Sequence, residues 1–133
     1  MIDLSKFQVI PITDQAQRTP LLCVTGSTVA FGKGVLEALS SPRYAMLLIS
    51  EQTQTIILCG CEGAQEGAFD FVKKQTDRYV RMKSRSLHNL CDKLANLTRD
   101  DYPYRVSGLI DSLPDGRPAV VFDMKNARRT GEC

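Results

Sequence analysis

Two apolar runs, RYAMLLIS at 43–50 and TIILCGC at 55–61, flank the polar tetrapeptide EQTQ. No other feature narrows the fold as much. Apolar runs of this length joined by a short polar turn read as a β-hairpin. Neither run alternates with polar residues, so the hairpin is expected to be central in its sheet or buried against another layer. A second hairpin is expected from YRVSGLIDSL and AVVFDM around PDGRP, because the order Pro-Asp-Gly suits a turn.

The remaining elements are shorter. FQVIPI (7–12) and LLCVT (21–25) read as strands about a polar turn, with Pro11 and Pro20 marking edges or strand ends. STVAF (27–31) continues extended, and AFDFV adds a short strand. Residues 32–41 predict a short helix, with Val35, Leu36 and Leu39 at helical spacing and Pro42 beyond its end. A longer helix is expected over 84–98, capped by Ser84 or Ser86, with Leu87, Leu90, Cys91, Leu94 and Leu97 forming one apolar stripe. Hairpins separated by isolated helices predict an α+β fold: one compact domain over 1–133, of mostly antiparallel strands (hairpins 43–61 and 104–124) with one short and one longer helix.

Composition excludes several classes. Hydrophobic residues at 43% and charged residues at 24% match globular averages, which argues against disorder. The start, MIDLSKFQVIPITDQ, does not have the pattern of a secretory signal, and no run of about 18 apolar residues predicts a membrane span. Five cysteines, an odd number, disfavour a disulfide framework, so a reduced, cytoplasmic protein without membrane association is expected.

Cys59, Cys61, His88 and Cys91 are the candidate metal ligands, since thiolates and imidazole suit a closed tetrahedral zinc site. Their spacing fits poorly. Zinc sites use Cys-x(2–4)-Cys, whereas Cys-x-Cys on a strand sets the Cα atoms about 6.5–7 Å apart. Cys91 also falls on an apolar helical stripe, where a thiol behaves as a small hydrophobe. The expectation is therefore packed thiols and no cofactor. A phosphate loop is excluded because five residues, not four, separate Gly26 from Gly32, and Gly34 stands where a hydroxyl residue is required. His88 is the one histidine, so nucleophile–base catalysis would have to use it.

Charge distribution carries more information. KKQTDRYVRMKSR (73–85) holds Lys73, Lys74, Arg78, Arg81, Lys83 and Arg85 against Asp77 alone, in a chain of net charge +2. Phe69, Phe71 and Tyr79 lie in or beside the run, and bases near aromatics are the footprint of phosphate-backbone binding.

Residues 27–60 run strand, short helix, strand, turn, strand. This order resembles the AbrB-like transition-state regulators, whose swapped-hairpin barrels bind DNA as dimers. The resemblance places Lys33 at the family's basic residue after the first strand, VLEALSS at its helix, and RYAMLLIS with TIILCG at its hairpin. Most of the chain is also similar to a group of uncharacterised small bacterial proteins, through VLEALSSPRYAMLLIS, TIILCGC, SRSLHNLCDKLANL and AVVFDM; this implies no activity.

The expected function is a non-enzymatic binding or regulatory module. Nucleic acid is the leading ligand, with Lys73, Lys74, Arg78, Arg81, Lys83, Arg85 and Lys33 as the contact residues. Apolar residues on both faces of the central hairpin make a homodimer the expected assembly. The alternatives are a protein–protein or structural module without nucleic acid, and an enzyme with a site near His88.

Overall fold

The structure, a computed structural model, describes residues 2–9 and 18–131. Alternating burial explains most of it. Strands β1 (Leu21–Val24), β2 (Val29–Phe31), β3 (Tyr44–Ser50), β4 (Thr55–Cys61), β5 (Phe69–Asp70), β6 (Val80–Met82), β7 (Tyr104–Ser112), β8 (Pro118–Asp123) and β9 (Arg128–Arg129) form one antiparallel sheet. Its order is β5-β3-β4-β8-β7-β1-β2-β6, with β9 paired to β7. Helix α1 spans Lys33–Leu39 and α2 spans Arg85–Ala95. The fold is thus α+β and mostly antiparallel strand.

The sheet curls around its interior. Phe31 of β2 packs edge-on against Phe71, just past β5, with centroids 5.7 Å apart, and also meets Phe122 of β8 at 6.1 Å. Strands distant in the sheet order therefore share one core, which α1 completes with Val35, Leu36 and Leu39 and α2 with Leu87, Cys91 and Leu94. At both ends of the sheet the strands are two or three residues long, which limits the open edge available to another chain.

Both hairpins form where expected. In the second, Gly116 takes φ +91°, which only a residue without Cβ adopts at little cost, and donates its N–H to the Leu113 carbonyl at 2.8 Å. The first is not covered on both faces. Leu48, Ile57, Val121 and Leu109 are register partners across β3, β4, β8 and β7. This row faces outward, with Leu109 74% exposed. The hairpin is central in the sheet, between β5 and β8, and its outer face stays open because both helices pack on the inner face.

Other differences are local. Residues 7–9 are exposed and not strand, and the rest of the expected strand 7–12 lies outside the described residues. Helix α2 is shorter than 84–98: Ser84, not Ser86, is its N-cap, accepting the Leu87 N–H at 3.3 Å, and Asn96 ends it in the left-handed region at φ 56°. The Gln54 side-chain amide donates to the Leu94 carbonyl at 2.8 Å, satisfying one of the last-turn acceptors. Strand β6, inside the basic run, was not expected. Cys23 is disulfide-bonded, against the expectation of reduced thiols, while Cys59, Cys61 and Cys91 are free.

No helix among the described residues is long and apolar enough to cross a membrane.

Candidate nucleic-acid interface

The outer face of β7, β1, β2 and β6 is built by strict alternation. Leu22, Val24, Val29, Phe31, Val80, Tyr104 and Val106 point into the core and are 0–8% exposed. The residues between them point out. Arg105 pairs with Cys23, Cys23 with Ala30, and Ala30 with Arg81, so the disulfide-bonded Cys23, which is buried, and Ala30 separate two arginines along one row. Arg128 of β9 extends the row beyond Arg105.

A hollow lies along this face. It is an open groove of about 1270 Å³, whose lining includes Arg18, Lys33, Arg78, Arg81, Lys83 and Arg105, with the Thr25, Ser27 and Thr28 hydroxyls and Tyr79; among the described residues no Asp or Glu lines it. Lys33 opens α1 and approaches Arg18 because Gly34 permits it. A Cβ on Gly34 would lie 2.6 Å from the Thr19 carbonyl oxygen and 2.8 Å from that of Arg18. Arg18 and Lys33 share one counter-ion, Glu37, at 3.4 and 3.8 Å. Among the described residues no ion pair is made by Arg78, Arg81, Lys83 or Arg105. Four exposed cations thus share a hollow, in a chain of net charge only +2.

The basic run is divided rather than presented as one face. Arg78, Arg81 and Lys83 reach the groove. Lys73 lines a neighbouring hollow of about 400 Å³ with Asp70, Asp77, Arg81 and Lys83. Lys74 spends its backbone N–H on the Asp77 carboxylate at 3.1 Å, and Arg85 begins α2. Lys74 and Arg85 line neither cavity. Of the three aromatics, Phe71 is core and Phe69 packs against it; only Tyr79 is presented outward, 51% exposed, with the Arg81 guanidinium 4.4 Å from its ring centroid. Arg18 and Arg105 were missed. Arg105 was legible in the alternation of Tyr-Arg-Val at 104–106; Arg18 lies in a stretch with no pattern to mark it.

The four candidate metal ligands do not assemble, and among the described residues no three His, Cys, Asp or Glu side chains group to hold a metal ion. Cys59 is buried on the outer side of β4 with its thiol 4.0 Å from the Met46 carbonyl, and desolvation raises its pKa. Cys91 lies in the core, where burial pushes its thiol pKa up to about 12. Cys61 is half-buried beside Arg117 and Glu62.

His88 sits at an open cleft of about 750 Å³ with Asn89, Asp92, Thr98, Arg99 and Tyr102. Its Nε2–H donates to the Thr25 carbonyl at 2.6 Å, and Nδ1 lies 3.1 Å from the Tyr102 hydroxyl. Tyr102 and Tyr104 both donate to Asp92, the latter at 2.7 Å. Burial, then the bond to Asp92, raises both phenol pKa values. Nε2 is engaged within the protein, and Nδ1 faces the Tyr102 hydroxyl. The network ties α2 to the β1–β2 turn, where Thr25 and Thr28 face the groove with their hydroxyls 2.9 Å apart.

The chain matches no protein-family model, no curated protein and no solved structure. Neither resemblance drawn from the sequence is therefore shown, and the functional reading rests on the site alone.

Proposed function

We propose that this protein binds nucleic acid on the outer face of β7, β1, β2 and β6, without catalysis. One observation carries the reading: Arg78, Arg81 and Lys83 from one stretch of chain and Arg105 from another converge on one hollow, with no Asp or Glu among its described lining residues. Clustered like charges repel, and a bound anion relieves that repulsion. Phosphates set along a chain suit cations set along a sheet row, and their binding releases counter-ions. The test is fluorescence anisotropy with labelled oligonucleotides across a salt series. Binding that weakens steeply with salt supports the reading, and no salt-sensitive binding at low ionic strength refutes it.

A second reading concerns assembly. The outward row Leu48, Ile57, Val121 and Leu109 crosses four paired strands, and single exposed apolar residues are common where such a row is not. A second copy covering this row would form an isologous dimer. Light scattering coupled to gel filtration checks it: a dimer that becomes monomeric in Leu109→Lys supports the reading, and a monomer at all accessible concentrations contradicts it.

A further inference from the structure

We infer that residues 2–9 form an arm that lies on the apolar sheet row of a second copy, each copy giving its arm to the other; this rests on the dimer reading above. Among the described residues nine large apolar side chains are exposed. Four of them, Ile2, Leu4, Phe7 and Val9, belong to this one segment; four more lie on β3 and β7, and Tyr79 is the ninth. Exposed apolar surface is thus gathered into two places, which can cover one another.

Row against row is too small to hold two copies together. Leu109 is 74% exposed, Leu48 38%, and Ile57 and Val121 are half-buried. At about 100 Å² for a fully exposed apolar side chain, the row offers about 200 Å² per copy. A stable interface takes about 800 Å² from each partner, about 60% of it apolar. The four arm side chains, 71–94% exposed, add roughly 300 Å². Row and arm together reach the apolar area that such an interface needs; the row alone does not.

The arm is also tethered within reach. Gly108 donates its N–H to the Pro20 carbonyl at 2.8 Å, so the chain enters β1 beside the Leu109 end of the row. Residues 10–17 can span at most about 28 Å, and the row, three strand spacings of about 4.8 Å, is roughly 14 Å long. The arm does not cover the row of its own chain, since both surfaces are exposed there. Its turn is already formed: the Asp3 carboxylate accepts the Ser5 N–H at 3.0 Å, and the Leu4 carbonyl accepts the Phe7 N–H at 3.1 Å. A preformed turn lowers the ordering cost of docking. Reciprocal exchange about a two-fold axis then closes the assembly at two copies.

The experiment measures mass by light scattering coupled to gel filtration, with melting curves to establish folding. Wild type is compared with an arm variant (Leu4→Asp with Phe7→Asp), a row variant (Leu109→Lys) and an equimolar mixture of the two. The expected result is a wild-type dimer whose mass is halved in each variant at the same concentration. The mixture is expected to be heavier than either variant alone, because the intact arm of one meets the intact row of the other. An arm variant that stays dimeric, or a mixture no heavier than its components, overturns the arm exchange and leaves the dimer reading standing. A monomeric wild type at all accessible concentrations overturns both.

Discussion

Tyr104 and Cys91 are neighbours in one buried cluster, and both hold their protons more tightly in the fold than in water. Burial is the first cause for each; the Asp92 carboxylate, which accepts the Tyr104 hydroxyl, adds to it. A raised folded pKa means that the unfolded chain releases its proton first. Stability is then fully present below the ordinary thiol and phenol values of 9.0 and 10.0 and is lost as pH rises beyond them. Urea midpoints should hold steady up to about pH 8.5 and fall progressively toward pH 11. A midpoint flat across that range would mean that neither group is shielded as described. The same burial removes Cys91 from any ligand role, and Cys59 is held on the other side of the sheet. The sequence brought these residue types together by composition; their separation is a matter of which face each occupies.

Among the elements, the long ones were the most legible. β3, β4, β7 and β8 are six to nine residues each and are apolar enough to announce themselves, and Ser84 marked the start of α2. Three-residue β6 was hidden, because a Val-Arg-Met triplet inside a basic run carries too few periods to distinguish a strand from a loop. Missing β6 concealed the groove. Only its pairing with β2, and that of β1 with β7, brings Arg81 and Arg105 onto one row, and no local pattern encodes long-range register. The interior of the curl is close-packed at Gly108 of β7. A Cβ there would lie 2.6 Å from Val120 Cγ1 and 2.8 Å from Phe122 Cε1. Gly108→Ala should cost about 1–3 kcal/mol by overpacking, read from urea denaturation. A loss within about 0.5 kcal/mol would indicate that β8 yields more readily than its packing implies.

Across the whole molecule, one sheet presents two unlike outer surfaces. β7 spans both: Arg105 belongs to the cationic row, and Leu109, two turns of the pleat further on, belongs to the apolar one. Self-association through the apolar row would leave the cationic row of each copy open. The Leu109→Lys variant should therefore shift mass without abolishing oligonucleotide binding, and loss of both together would mean that the two surfaces are not independent. The central claim is that the groove cations, and not basic residues in general, hold phosphates. Its most direct measurement is the slope of log K against log salt for single-strand binding. Arg78→Ser with Arg105→Ser should flatten that slope by about 1.4, roughly 0.7 for each phosphate contact removed. Lys93→Ser with Lys125→Ser, which removes cations paired to Glu51 and Asp123 away from the groove, should leave it unchanged. Equal flattening by the two pairs would contradict the assignment of the groove.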